Sequence, residues 1–161
     1  MAILQSLQRL LDDNRVHYEV HAHRRTFTAR ETAAADHVPP SEMAKVVVLK
    51  TDDRFLLAVL PATHTLDVDL LRETVGDDHL RLASEREFVD AFRECEPGAI
   101  PPFGQLFDVP MWVDDSLGRE REMVFNAGTH RETVHLAYDD FVRLAKPEFG
   151  EFSRRGGVAT N

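Results

Sequence analysis

The sequence predicts a single α+β domain, a mixed and largely antiparallel sheet surrounded by helices. Three observations predict it. Segments with apolar residues at helical spacing are interspersed along the chain with short runs of strand character. Several neighbouring strand runs are separated by turns of only a few residues, a connection open to antiparallel partners but not to parallel ones. A chain of 161 residues is also too short for two ordinary domains and suits one core.

Taken in order, Ile3, Leu4, Leu7, Leu10 and Leu11 recur at helical spacing, which predicts an amphipathic helix over residues 2–14. The alternation from Val16 to His23 predicts a half-buried strand with His17, Glu19, His21 and His23 on its solvated face. Thr28 and Glu31 fit a capping box, opening a short alanine-rich helix that ends before Pro39 and Pro40. Residues 46–49 and 55–60 flank Thr51-Asp52-Asp53 and predict a hairpin, apolar enough to be buried on both faces. A third helix is expected over 67–75, stopped by Gly76, and a fourth after the capping box of Ser84 and Glu87, carrying Phe88, Val89, Ala91 and Phe92. The prolines and glycines from Glu96 to Gly104 exclude regular structure and predict a stiff loop. Strands are expected over 109–113, 122–127 and 133–137, with Gly128-Thr129-His130 turning between the last two, and a closing helix over 138–145. The domain is thus assigned to residues 1–146, and residues 147–161 are expected to fray because they hold little to bury.

Composition narrows the function. With 43% hydrophobic and 29% charged residues the chain is globular rather than disordered or repetitive. Its longest apolar runs are far below the roughly 20 residues that span a bilayer, and residues 1–14 lack the basic and apolar blocks of a secretion signal. The expectation is a cytoplasmic protein with no membrane partner. Cys95 is the single cysteine, so no internal disulfide or cysteine metal cluster can form. The net charge of −9 argues against broad binding to DNA or RNA. The deficit is uneven: residues 1–54 hold eight basic and eight acidic residues, the remainder eleven basic and twenty acidic. An anionic partner should therefore meet the N-terminal third.

Nucleotide-loop, dinucleotide, zincin and serine-hydrolase motifs are all missing from the sequence. Cys95 could be a nucleophile, but a buried small side chain at a helix end is the plainer role. The histidines of the first strand could bind a metal, yet they run along a line where structural zinc wants converging ligands, so a solvated face and no metal are expected. Lys45 opens a strand that is otherwise Val-Val-Val-Leu and could hold a fixed cation at the rim of an apolar wall, or simply guard a strand edge against aggregation. The loop from Gly98 to Gly104 could offer backbone donors to a carbonyl oxygen, or be a rigid connector. His130 sits in a tight turn and could be a catalytic group, although a surface histidine is the plainer role.

In this order and spacing, Ala44-Lys45-Val46-Val47-Val48, then Gly98 to Gly104, then Val124 to His130, the chain resembles the YbaK-like aminoacyl-tRNA deacylases, relatives of the editing domain inserted in bacterial prolyl-tRNA synthetases. Phe27-Thr28-Ala29 with Glu31-Thr32-Ala33 is similar to the family's early helix, Lys45 falls at its functional lysine, and Gly98 to Pro102 matches its G-x-x-x-P element. The resemblance implies hydrolysis, in trans and without a cofactor, of the ester joining a small wrong amino acid to the tRNA 3′ end. The ester is already activated and the terminal ribose hydroxyl is thought to assist the attacking water, so no protein nucleophile is required. Lys45 would then position the carbonyl or terminal phosphate, Gly98 would donate to the oxyanion, and His130 would shape the pocket or contact substrate. Thr28, Val47, Pro101, Pro102, Phe103, Gly128 and Thr129 would contact substrate. With so acidic a chain, contact is expected only with the tRNA acceptor end, through Arg24, Arg25, Arg30, Lys45 and Lys50. A non-catalytic module holding an aminoacyl or nucleotide ligand, and a histidine-strand metal binder, are the other readings.

Overall fold

The computed structural model describes residues 3–156. Helix α1 (Gln5–Asp13) begins later than its apolar pattern suggests, and buries Leu7 and Leu11 completely. Strand β1 (Tyr18–Ala22) leads to α2 (Ala29–Ala35), whose capping box forms as expected: Thr28 accepts from the Glu31 amide while the Glu31 carboxylate accepts from the Thr28 amide. Strands β2 (Ala44–Lys50) and β3 (Phe55–Pro61) make the predicted hairpin, with Lys45 opposite Leu60 and Val47 opposite Ala58.

The next elements are β4 (His64–Leu66), α3 (Val68–Val75), β5 (Arg81–Leu82) and α4 (Glu85–Phe88). Helix α3 is capped by the Asp67 side chain and stopped by Gly76 at φ +82°, a left-handed value that costs glycine nothing. Helix α4 has the expected capping box but only four residues, and Val89 to Cys95 continue as irregular turns. Last come β6 (Met111–Asp114), β7 (Glu122–Asn126), β8 (Glu132–Ala137), α5 (Tyr138–Ala145), β9 (Glu148–Gly150) and β10 (Ser153–Arg155). Strand β6 starts at Met111 rather than Val109 because Pro110 has no N–H for a ladder; its carbonyl instead accepts from Leu57.

The α+β expectation holds. One antiparallel sheet has the order β1-β8-β7, a second the order β5-β2-β3-β6-β9, and β4 pairs with β10. An isolated parallel bridge pairs Met43, just before β2, with Val124 of β7. The pairings β3 with β6 and β6 with β9 are parallel, which makes the larger sheet mixed. Leu7, Leu11, Phe103, Phe125 and Phe141 fill the main core, while α2 packs Ala33 over Met43, Ala62 and Val124.

The frayed tail is a correction for residues 147–156. Strand β9 adds to β6, β10 pairs with β4, and Phe152 between them is fully buried against Leu49, Leu56 and Leu71. One buried phenylalanine contributes about 1.5–3 kcal/mol, and the buried Asp114 carboxylate accepts from its amide at 2.8 Å. Residues 157–161 lie outside the described part. Strand β1 also departs from its predicted pattern: Val20 is 45% exposed, while His21 turns toward the body of the protein.

Candidate active site

A cavity of about 310 Å³ opens between α2 and the larger sheet, within the size range of small-ligand sites. One wall is Lys45 to Val48 on β2, and the opposite rim is Phe27, Thr28 and Ala29 at the start of α2. Leu82, Ala83 and Phe88 close a third side, and Gly98 and Asn126 complete it. The branched valines and Phe88 make the lining mostly apolar.

Lys45 is 9% exposed, on a strand otherwise built of valine and leucine. Burial pushes its ammonium below the usual lysine range, and the nearby Arg30 guanidinium adds repulsion. The result is a weakly hydrated cation at an apolar wall, the setting in which a charge acts most strongly on a carbonyl or phosphate oxygen. Asn126 supplies the complementary group: its Oδ1 is buried and has no hydrogen-bond partner within the described residues. A buried carbonyl oxygen left unpaired beside a cavity is a ready acceptor for a ligand N–H or O–H. Sequence reasoning did not single out Asn126; the signal was an amide side chain ending an otherwise apolar strand.

Gly98 lies at the cavity with φ +85°. Behind it sits His130, which is 6% exposed and does not line the cavity. His130 Nε2 is 2.6 Å from the Pro97 carbonyl oxygen, and its amide donates to Glu96 at 2.8 Å. The histidine therefore braces the loop that carries Gly98 and stands away from the cavity itself. Gly128, at φ +105°, faces Leu4 and donates its amide to the Ala99 carbonyl. The Thr129 hydroxyl donates to Glu132, Phe103 stacks edge-on against Phe125 and Phe141 in the core, and Pro101 and Pro102 are buried. These five shape the loop and the turn from behind; Thr28 and Val47 are the expected contact residues that do line the cavity.

Of the expected basic contacts, Arg24 and Arg25 are exposed just before the cavity rim, Arg25 lying 5.5 Å from the Phe27 ring centre. Arg30 is half-buried on α2. Lys50 is five residues of extended strand from Lys45, about 17 Å, and its ammonium rests 4.5 Å from the Phe55 ring centre. It belongs to a different part of the surface. Burial pushes the Cys95 thiol up to about 12, with Glu94 adding to the rise, so it is inert as a nucleophile. His17, His21 and His23 do not converge with one another; His21 meets Asp36 and His135 instead. Among the described residues no helix is long and apolar enough to cross a membrane.

Comparison with known proteins gives the arrangement a lineage. A model of the aminoacyl-tRNA editing domain matches residues 23–144. The chain is 35% identical over 116 residues to the multifunctional Ser/Thr-tRNA deacylase ProXp-y of Escherichia coli K12, covering 69% of each chain. It is 28% identical over 128 residues to the proline–tRNA ligase of Staphylococcus saprophyticus, matching 78% of this chain and 22% of the ligase. The solved structure of a proposed trans-editing enzyme for prolyl tRNA synthetase superposes with a TM-score of 0.80 at 22% identity, covering 95% of this chain and 99% of the other. With its fold, its cavity and these matches in agreement, the chain belongs to the aminoacyl-tRNA editing domain family.

Proposed function

We propose that the protein is a deacylase that hydrolyses, in trans, the ester between tRNA and a small, wrongly attached amino acid. The observation that carries the reading is the buried Lys45 at the wall of an apolar cavity of about 310 Å³, in a chain related to a Ser/Thr-tRNA deacylase. The aminoacyl side chain fits against Val46 to Val48, where branched side chains limit its size. The Lys45 ammonium holds the ester carbonyl oxygen or the terminal phosphate, and the Gly98 backbone approaches the carbon under attack. Asn126 Oδ1 accepts a hydrogen bond from the substrate's amino group or short hydroxyl.

The nucleophile in this reading is water. Thr28 is the hydroxyl residue lining the cavity, and its oxygen already caps α2. The vicinal ribose hydroxyl next to the ester can orient the water, accepting its proton as it passes its own to the departing ribose oxygen, so that the substrate supplies the proton relay. Water adds to the carbonyl carbon, the tetrahedral oxyanion is held by Lys45 and the Gly98 loop, and collapse expels the ribose oxygen, which is protonated as it leaves. Arg24, Arg25 and Arg30 guide the acceptor end to the rim, with Phe27 as the exposed apolar surface there.

A deacylation panel over alanyl, seryl, threonyl, prolyl and phenylalanyl tRNAs tests the reading. Turnover of at least one small ester, lost in Lys45→Ala, is the expected result. Tight binding of the panel without turnover would replace the enzyme with a ligand-binding module.

A further inference from the structure

We propose that His21, Asp36 and His135 form a binding site for one divalent transition-metal ion, at the junction of β1, β8 and the C-terminal end of α2. His21 Nδ1 lies 3.1 Å from Asp36 Oδ1, His135 Nε2 lies 2.6 Å from Asp36 Oδ2, and donor atoms of the three residues fall within 4.8 Å of one another. The Asp36 side chain is 4% exposed and that of His135 15%, while His21 at 38% leaves a side open to solvent. Two imidazoles and a carboxylate are the donor set favoured by zinc and its first-row neighbours, with water completing the fourth position. A tetrahedral ion about 2.0–2.1 Å from each donor needs them roughly 3.3 Å apart, so movements on the order of 1 Å close the site.

The surroundings are those of a built site. The Thr133 hydroxyl donates to Asp36 Oδ2 at 2.6 Å, and Glu19 Oε1 lies 3.0 Å from His21 Nε2. A ligand imidazole commonly donates its far N–H to a carboxylate, which fixes the ring and the tautomer. That placement has a second consequence. A neutral imidazole carries one N–H, so with Nε2–H on Glu19 the His21 Nδ1 turns a lone pair toward the Asp36 carboxylate. A metal ion between them satisfies both lone pairs. His135, which now donates from Nε2, would carry its proton on Nδ1 when bound. The two rings already lie side by side with centres 3.8 Å apart, within reach of one shared ion after side-chain movement.

The site stands apart from the deacylase cavity but shares a helix with it. Thr28 at one end of α2 lines the cavity, while Asp36, eight residues and about 12 Å further on, caps the other end. A bound ion would clip the C-terminal end of α2 to the edge strand β1.

The probes are Zn²⁺ and Co²⁺ added to the chelator-treated protein. One equivalent of Zn²⁺ should shift the ring signals of His21 and His135 in the NMR spectrum and leave those of His17 and His79 unmoved. Co²⁺ should give the visible bands of a tetrahedral ion. His21→Ala, at a partly exposed position, should weaken Zn²⁺ affinity at least tenfold, and Glu19→Gln by up to about tenfold. Ring shifts at other histidines, no shift at one equivalent, or His21→Ala binding within twofold of the wild type would each overturn the site. Because the wild-type spectrum needs no variant, poor folding of a variant leaves the test standing. Deacylation by the chelator-treated protein is expected to be unimpaired, so the two assignments stand or fall separately.

Discussion

His130 lies directly behind Gly98: a Cβ built on the glycine would stand 3.3 Å from His130 Cε1. The glycine also holds φ +85°, a left-handed value that L side chains rarely adopt. Two constraints therefore act on one position, and together they set the loop at the mouth of the cavity. Gly98→Val should destabilise the loop and reduce cleavage of even the smallest ester. Gly98→Ala should do so less, because the ring can yield by a few tenths of an ångström. Full activity in Gly98→Val, measured on a folded protein, would show that the loop does not border the reacting ester.

The brace works from the other side too. His130→Ala removes the contact to the Pro97 carbonyl and leaves a void beneath Gly98. A positioning residue should lower kcat by loosening the loop while an added imidazole fails to restore the rate. Rescue by free imidazole would instead make His130 a direct participant.

Lys45→Ala should leave the fold intact and cut the deacylation rate by roughly 10²-fold, the usual cost of losing one transition-state donor. Burial, with repulsion from Arg30, holds the Lys45 ammonium below its ordinary value of 10.5. Between the folded value and 10.5 the unfolded chain binds more protons than the folded one, so stability rises with pH across that window. Activity should fall over the same window as the cation is lost. An NMR titration of the Lys45 side chain at or above 10.5 would contradict both statements.

Substrate size should follow the valine wall. Alanyl and seryl esters are expected to be cleaved well and phenylalanyl esters poorly, and Val47→Ala should admit larger ones. One methylene against an apolar wall separates substrates by only about 1–3 kcal/mol, so exclusion of bulk does most of the selecting. Equal rates on alanyl and phenylalanyl tRNA would mean that the amino acid does not enter this cavity. Asn126→Ala should lower kcat/KM by about 2- to 10-fold through loss of one neutral hydrogen bond.

Affinity for tRNA should be modest and fall with salt, and Arg24→Ala with Arg25→Ala should flatten the salt slope by no more than about two units. A salt-independent affinity would remove phosphate contact from the account.

Asp114 is 2% exposed and ties Phe152 and Ser116 to β6. Burial alone would raise its pKa, but hydrogen bonds from Ser116 and Phe152 outweigh it, so the carboxyl is held below its ordinary 3.8. Its stabilisation is therefore complete above 3.8 and lost as pH falls through the lower folded value. Asp114→Ala should cost about 1–3 kcal/mol in chemical denaturation by orphaning buried donors. A loss near zero would mean the C-terminal strands dock without it.

The local part of this fold was legible in the sequence. The capping boxes at Thr28 and Ser84, the stop at Gly76 and the hairpin around Thr51 are interactions between residues a few positions apart, and each appears where its pattern stands. Lys45 and Gly98, which line the cavity, carried a local signal too, a cation in an apolar strand and a glycine in a proline-stiffened loop. What the tertiary structure decided is which side chains meet. His130 and Gly98 come from different loops, and packing put the histidine behind the glycine rather than on the cavity wall. Asn126 became a cavity acceptor only when β7 came to lie beside the cavity, and Phe152 became core only when its flanking strands found β6 and β4. His21 and His135 share Asp36 although His135 stands 99 residues further along. Periodicity reports the face a residue takes on its own element; what lies against that face depends on strand register and helix docking, which are set by burial summed over the whole chain.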